Sequence, residues 1–205
     1  MVKIGIINYQ MGNLGSVKRK FSLLGYDPEI INEPSQIMRC DKLVLPGVGH
    51  FASGMANLKK LSLYDELNEA VLIRKTPVLG ICLGMQLLVG HSEEGDCEGL
   101  NWIGGRVIRF RIHDRLHHKV PHMGWNTLKK VNPHPVFDGI GSGDEFYFVH
   151  SYHVKLIDAA AALTETEYEY PFVSSIGKDH ILGFQFHPEK SHKTGKSLLK
   201  NFINL

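Results

Sequence analysis

The sequence predicts an α/β protein with a central, mostly parallel β-sheet and antiparallel strands added at its edge. In the first half of the chain, short apolar runs rich in β-branched residues alternate with segments of helical periodicity. Strand–helix–strand order at this spacing is typical of a parallel sheet covered by helices on both faces. After Trp102, strand-like runs follow one another with only Gly or Asn/Pro turns between them, which favours antiparallel pairing.

The elements of the first half can be placed by their apolar patterns. A helix is predicted where apolar residues recur at helical spacing, and a strand where a short apolar run ends at a turn. The predicted strands cover residues 3–8, 42–45 and 78–81. The predicted helices cover residues 14–24, which end at a glycine, and 58–73, which end at Thr76-Pro77.

The second half is predicted to contain four more strands and a terminal helix. The strands cover residues 106–110, 145–149, 172–176 and 180–186, and the helix runs from about residue 192 to 203. The sequence shows no internal repeat, low-complexity tract or interdomain linker. We therefore expect residues 1–205 to form a single domain.

Composition excludes several classes of protein. The formal net charge is only +2 and the basic residues are scattered, so we expect neither a nucleic-acid nor a membrane partner. The amino-terminal apolar run is too short for a signal-peptide core, and no stretch approaches the ~20 apolar residues that span a bilayer. Three widely spaced cysteines form no disulfide framework. A cytoplasmic location is expected.

The most informative motif is a G-x-C-x-G sequence between a predicted buried strand and a predicted helix. Gly80 and Gly84 flank Cys82, and such glycines permit a tight turn that exposes a nucleophile at the end of the strand. The helix starting at Leu83 would favour a thiolate and offer backbone N–H groups to developing negative charge. The alternative is a buried structural cysteine, which two flanking glycines at a strand–helix junction make a poor explanation.

A thiol nucleophile needs a base, and the base needs a group that orients it. His187 follows a predicted strand, Pro188 takes the chain out of the sheet, and Glu189 lies two residues further on. The carboxylate can fix the imidazole tautomer and stabilise the imidazolium. His-Pro-Glu alone often only caps a turn, but together with Cys82 it predicts a catalytic triad of Cys82, His187 and Glu189.

A glycine-rich loop after the second predicted β-strand of the parallel sheet completes the pattern. Glycines 47 and 49 would let the backbone approach a ligand, and the carboxyl ends of parallel strands meet at one crevice. We expect one oxyanion-hole N–H from Val48 or Gly49 and another from Leu83. An ordinary Gly/Pro turn is the alternative for this loop alone.

Together these three segments resemble the class I, triad-type glutamine amidotransferases. Three further segments are similar to the glutaminase subunits of imidazole glycerol phosphate synthase: residues 8–13 (NYQMGN), 122–126 (HMGWN) and 186–191 (FHPEKS). The resemblance runs from the first strand to the last helix. Gln10 departs from it, because that position usually carries a small residue.

The resemblance implies a flavodoxin-like sheet, hydrolysis of glutamine to glutamate and ammonia, and no cofactor or metal. It also implies a heterodimer with a (β/α)₈ cyclase, through which the ammonia would pass for histidine biosynthesis. The residues that it implies for holding glutamine are Gly47, Gln86, Ser151 and Tyr152. Those that it implies for the cyclase-facing side are Asn13, Met123 and Trp125.

Other interpretations remain open at this point. The same glutaminase could supply ammonia to a different synthase, such as one that amidinates surface sugars. The elbow also occurs in cysteine peptidases and DJ-1-like proteins, and an inactive regulatory subunit would have a broken triad. The histidines at 113, 117, 118 and 122 are expected in a solvated loop rather than a metal site. Gly195-Lys196-Ser197 lacks the upstream glycine of a P-loop.

Overall fold

The computed structural model describes residues 2–114 and 116–205. Within these residues the chain forms fourteen β-strands and six α-helices. The strands are β1 (Ile4–Ile7), β2 (Glu29–Ile31), β3 (Lys42–Gly47), β4 (Val78–Cys82), β5 (Val89–Ser92), β6 (Cys97–Glu98), β7 (Ile103–Arg109), β8 (His122–Thr127), β9 (Lys129–Lys130), β10 (Glu145–His150), β11 (Tyr152–Leu156), β12 (Ala162–Glu167), β13 (Pro171–Lys178) and β14 (Ile181–Phe184). The helices are α1 (Leu14–Ser22), α2 (Pro34–Ile37), α3 (Phe51–Lys60), α4 (Leu63–Asn68), α5 (Leu83–Leu87) and α6 (His192–Asn204).

Five strands form the parallel part of the main sheet, in the order β2, β1, β3, β4 and β14. Strands β1, β3, β4 and β14 are buried along their whole length, as expected for parallel strands covered on both faces. The carboxyl ends of β3, β4 and β14 lie side by side, with Gly47 paired to Cys82 and Ile81 paired to Phe184. Three segments that sequence analysis singled out are therefore brought to one edge.

The sheet continues from β14 in antiparallel fashion through β13, β11 and β7; β12 also pairs with β13, and β9 pairs with β12. At the far end β5 runs parallel to β7. Strands β8 and β10 pair with each other in a separate antiparallel ribbon. The predicted fold class, a mostly parallel central sheet with antiparallel edge strands, is confirmed.

Helices cover both faces of the parallel strands. Successive strand residues point to opposite faces, so Leu43 and Leu45 enter one core cluster while Val44 enters the other. Helices α3, α4 and α5 pack in the first cluster, and α1 and α6 pack in the second. Among the described residues, no helix has both the length and the apolarity needed to cross a membrane.

The single helix predicted over residues 58–73 is wrong. Helix α3 begins earlier, at Phe51, and ends at Lys60; Ser62, with φ +56°, then separates it from α4. Residues Glu69–Ile73 form a π-helix. Gly54 lowers the helix propensity of the early part, yet a Cβ there would already touch side chains of α5, so the close packing of α3 on α5 overrides that propensity.

Candidate active site

Cys82 occupies a strained turn between β4 and α5. Its backbone has φ +55° and ψ −109°, a conformation that L-residues rarely adopt. Both flanking glycines are required by close approach: a Cβ on Gly80 would lie 2.7 Å from the backbone of Gly84, and one on Gly84 would overlap the carbonyl oxygen of Leu45. The turn therefore has the geometry of a nucleophile elbow, with the sulfur at the amino terminus of α5.

The strand next to β4 delivers the imidazole. His187 follows β14 by three residues, and its buried ring forms a 2.7 Å hydrogen bond from Nδ1 to Oε1 of Glu189, which is also buried. The backbone of His187 is fixed as well, because its N–H donates to the carbonyl of Tyr147 and its carbonyl accepts from the hydroxyl of Ser191. The ring nitrogen opposite Glu189 is thus held in one orientation.

The pKa of His187 is raised to about 10. Burial acts to lower this pKa, but interactions with the negative charge of an ionised Cys82 and with Glu189 together raise it by more. Nε2 has no hydrogen-bond partner of acceptable geometry among the described residues. With its pKa raised by the ionised sulfur, the ring can take the proton of the Cys82 thiol on Nε2 and hold it as imidazolium.

The sulfur of Cys82 opens into a cavity of about 290 Å³. This cavity brings together residues of the glycine-rich loop, the elbow, α5 and the turn between β10 and β11. Its lining residues are Val48, Gly49, Cys82, Leu83, Gln86, Glu94, Pro121, Val149, His150, Ser151 and Tyr152. A partly open cavity of this size, with a thiol in its wall, suits covalent catalysis on a small polar substrate.

Comparison with known proteins agrees with this chemistry. The family model for "Glutamine amidotransferase class-I" matches residues 6–205. The chain belongs to the class I glutamine amidotransferases. It is 50% identical over 200 residues to the imidazole glycerol phosphate synthase subunit HisH 2 of Methanococcus maripaludis, covering 98% of each chain. It is 46% identical over 203 residues to subunit HisH 1 of Campylobacter jejuni, covering 98% of this chain and 100% of the relative.

Solved structures show the same fold in other amidotransferases. One glutamine amidotransferase superposes with a TM-score of 0.76 at 16% identity, covering 98% of this chain and 97% of its own. A glutamine amidotransferase of Thermotoga maritima superposes with a TM-score of 0.61 at 18% identity, covering 99% and 83%. At such low identity the likeness concerns the fold, and the flavodoxin-like amidotransferase architecture that the sequence predicts is confirmed.

In the glycine-rich loop, one of the N–H groups predicted for the oxyanion hole already donates a hydrogen bond within the protein. The N–H of Val48 donates to the carbonyl of Met11 over 2.8 Å, so in this conformation it does not point freely into the cavity. Gly49 has φ +116°, a value that favours glycine. Leu83 lies at the amino-terminal end of α5, where backbone N–H groups lack helical partners. As the loop is placed, Gly49 and Leu83 are the better positioned pair for an oxyanion.

Of the residues predicted to hold glutamine, three line the cavity and one does not. Gln86, Ser151 and Tyr152 lie in its wall, and Gln86 Nε2 donates to the carbonyl oxygen of Tyr152 over 3.0 Å. Gly47 instead lies beside the buried hydroxyl of Tyr9, in a smaller space shared with His187. The roles of all four residues remain predictions.

Glu94, which no sequence pattern predicted, also lines the cavity. Its Oε2 accepts the N–H of Phe51 at the start of α3 over 2.8 Å, and this bond fixes the carboxylate at a helix amino terminus. The run Ser92-Glu93-Glu94 carries no motif by itself. Only the approach of α3 to the end of β5, 43 residues apart in sequence, places Glu94 in the wall of the cavity that contains Cys82.

The three residues predicted to face a partner lie at the surface near the site. Met123 and Trp125, on β8, are 61% and 43% exposed, and the Trp125 ring stacks on His192 with centroids 4.8 Å apart. Asn13 is exposed and caps α1, its side chain accepting the N–H of Ser16. Their role in partner binding remains a prediction.

The solvated loop expected for the histidine-dense segment is wrong for His122. His113 and His117 are exposed, but His122 lies buried in β8 and bonds to His150. Alternation along β8 explains the difference, because His122 points inward while Met123 points out. Among the described residues, no group of three or more His, Cys, Asp or Glu side chains could hold a metal ion.

Proposed function

We propose that this chain is the glutaminase subunit of an imidazole glycerol phosphate synthase. The observation that carries the proposal is the Cys82 elbow, which ends the strand next to the one that leads to His187–Glu189 and lines a cavity whose wall also carries polar side chains. Relatives at 41–50% identity over nearly the whole chain are subunits of that synthase. Residues 1–205 act as one amidotransferase domain, in the cytoplasm.

The reaction follows from the positions of the three triad groups. His187 accepts the proton of the Cys82 thiol, and the sulfur attacks the side-chain amide carbon of glutamine. The carbonyl π electrons move onto oxygen, where backbone N–H groups of Leu83 and the Val48–Gly49 loop stabilise the charge. His187 then protonates the departing nitrogen, so that ammonia leaves and a thioester remains. Water, deprotonated by His187, hydrolyses the thioester to glutamate and regenerates the thiol.

Several polar groups can orient the substrate. Glu94 places a carboxylate in the cavity wall, where it can pair with the α-ammonium of glutamine. Gln86, Ser151 and Tyr152 lie near Cys82 and offer donors and acceptors to the remaining polar atoms. A glutamine so held presents its amide carbon to the sulfur, which lowers the entropic cost of attack.

The partner that consumes the ammonia is a (β/α)₈ cyclase, bound as a heterodimer on the surface that carries Asn13, Met123 and Trp125. Support comes from the exposure of two large apolar side chains next to the mouth of the site. Ammonia released inside a covered interface reaches the second active site without mixing with solvent water.

A second function is favoured by one observation. Relatives from Methanococcus maripaludis, Campylobacter jejuni and Pseudomonas aeruginosa carry numbered names, HisH 1 or HisH 2. A numbered copy can serve a different synthase with the same glutaminase chemistry, such as one that amidinates a surface sugar. Complementation of a histidine auxotroph that lacks its own glutaminase subunit separates the two: growth supports the histidine pathway, and failure of an expressed, active chain supports the other.

The test of the glutaminase itself uses the chain co-purified with its cyclase. Cys82→Ser should abolish ammonia release from glutamine, lowering the rate by about 10³-fold or more, while the complex still forms. Cys97→Ser is the matched control, because Cys97 is a free thiol outside the cavity, and it should retain full activity. Near-normal ammonia release by Cys82→Ser would contradict the mechanism. Cleavage of peptides but not glutamine would favour a peptidase.

A further inference from the structure

We propose that Gln185 is a positioning residue for the nucleophile, its side-chain amide donating a hydrogen bond to the sulfur of Cys82. The inference deepens the glutaminase function proposed above and rests on it for its catalytic meaning. The contact itself is independent of that function: Gln185 Nε2 lies 3.7 Å from Cys82 Sγ, within the range of an N–H···S hydrogen bond.

Gln185 contacts Cys82 from within the protein core rather than from the cavity. It follows β14 directly and is fully buried, and its backbone N–H donates to the carbonyl of Ser174 on β13. It is not part of the cavity wall, so it does not contact a substrate bound there. Its Nε2 donates to Sγ of Cys82, and the carbonyl oxygen of Val149 accepts from that same Sγ.

A chain of hydrogen bonds that starts at the backbone carbonyl of Tyr152 determines that Gln185 donates to Cys82 rather than accepts from it. The carbonyl oxygen of Tyr152 can only accept, so Gln86 must present its Nε2 to it, at 3.0 Å. The second N–H of the same amide then donates to Gln185 Oε1, also at 3.0 Å. With its oxygen so engaged, Gln185 must turn its own N–H₂ group towards Cys82. An N–H rather than a carbonyl oxygen therefore faces the sulfur.

The same carbonyl also orders two histidines. Nδ1 of His150 lies 2.7 Å from the Tyr152 oxygen and must donate to it, which leaves Nε2 of His150 as the acceptor of the 3.1 Å bond from Nδ1 of His122. Burial lowers the pKa of both histidines, so each stays neutral and supplies the single donor that this arrangement requires. The Tyr152 carbonyl is thus held from two sides, and the Gln86–Gln185 pair has a rigid anchor.

The contact favours the reactive form of Cys82. The thiol donates its own hydrogen towards the carbonyl of Val149, 3.8 Å away. Once His187 removes that proton, the Val149 carbonyl no longer has a donor to accept from, whereas the Gln185 N–H gains a negatively charged acceptor. Hydrogen bonds to a charged group are stronger than neutral ones, so Gln185 stabilises the thiolate relative to the thiol and aims it.

The test measures the rate of Cys82 alkylation by iodoacetamide as a function of pH, on the purified chain, with the modified peptide identified by mass spectrometry. Gln185→Met fills a similar volume without a donor. We expect its alkylation midpoint to rise by about one pH unit and its rate at pH 6.5 to fall about 10-fold. Alkylation of Cys97 in the same sample provides an internal reference. Thr164→Val is the matched control, since it removes a buried hydroxyl that bonds to Ser174 and Ser175 in the same sheet.

A pH profile unchanged from the native chain in folded Gln185→Met would overturn the proposal, as would an equal shift in Thr164→Val. If Gln185→Met fails to fold, Gln185→Leu, which also lacks a hydrogen-bond donor, decides by the same readout and should shift the midpoint upward. Absence of glutamine hydrolysis in the native complex would instead refute the proposed function and leave the alkylation result standing. With activity present, Gln185→Met should lower kcat more than it changes KM, because Gln185 is not in the cavity wall.

Discussion

At the residue scale, the pairing of His187 with Glu189 determines which ring nitrogen can act. Glu189 is only two residues away, and both side chains are almost completely buried, so water has little access to their hydrogen bond. The carboxylate accepts from Nδ1 and leaves Nε2 for the chemistry. Glu189 also contributes to the raised pKa of His187, after the larger contribution from Cys82.

Two substitutions separate the reacting group from the group that orients it. His187→Asn removes the base and should lower ammonia release about 10³-fold or more, whereas Glu189→Gln keeps a hydrogen-bond acceptor and should cost roughly 10–100-fold. Loss of the carboxylate charge should also lower the pKa of His187. Initial rates of the complexes between pH 6 and 10 check both effects. Equal losses in the two variants would show that Glu189 does more than orient the ring.

At the element scale, the elbow depends on the close approach of α5 to β3. Gly84 lies in the first turn of α5, and a Cβ there would overlap the carbonyl of Leu45. That oxygen belongs to a strand buried on both faces, so moving it would disrupt close packing and cost free energy.

Gly84→Ala is therefore expected to destabilise the fold by about 2–4 kcal/mol and to displace Cys82 enough to reduce activity sharply. Urea unfolding followed by circular dichroism measures the first effect. Gly143→Ala is the matched control: nothing lies within 4 Å of the position of its Cβ, so its stability should change by less than about 1 kcal/mol. Similar midpoints for the two variants would show that α5 can shift away from β3.

Local patterns predicted the elements and residues whose cause is local. The strand–turn–helix around Cys82 and the strand end before His187 are both visible in short stretches of sequence, and the structure places them as expected. The contacts of Gln185 and Glu94 were not predicted, because they join these residues to Cys82 and Phe51, 103 and 43 residues away in the sequence. Helix α3 was misplaced because a tertiary contact at Gly54 compensates for poor local propensity.

At the scale of the whole molecule, the exposed side of the β8–β10 ribbon is the expected docking surface. Trp125→Ala and Met123→Ala should each weaken binding of the cyclase, Trp125→Ala by roughly 30-fold, because a buried Trp is a common hot spot of interfaces. Titration of fluorescently labelled cyclase measures the affinity. Ile157→Ala is the control, since Ile157 is 85% exposed just beyond β11, in the other sheet. Loss of affinity in Ile157→Ala of the same size would place the partner elsewhere.

The buried histidines make the whole fold sensitive to acid. Burial, with a smaller contribution from the charge of His118, lowers the pKa of His122 from 6.5 to about 4. Below pH 6.5 the His122 side chain therefore binds a proton in the unfolded chain but not in the folded one. The free energy of unfolding decreases as the pH falls from 6.5 towards 4. Protonation of His122 alone can lower the free energy of unfolding by about 3 kcal/mol at most.

Urea unfolding at pH 7.5 and pH 5 should show that loss in the native chain and a smaller one in His122→Phe, whatever its stability at pH 7.5. His113→Gln, at an exposed position, should behave like the native chain. The same pH dependence in His122→Phe as in the native chain would assign the acid sensitivity to other groups.

The nucleophile ends β4 and its base follows β14 by three residues; these strands are neighbours in the buried centre of the sheet, paired from Ile181 with Val78 to Phe184 with Ile81. A catalytic site assembled on loops can be lost on warming long before the protein melts. Here the distance between sulfur and imidazole is set by the hydrogen bonds that hold the two strands together, so the reactive pair survives as long as the sheet does. On heating, loss of Cys82 reactivity and loss of the fold should coincide in one cooperative transition. We therefore expect no temperature at which the enzyme is still folded but Cys82 has lost its reactivity.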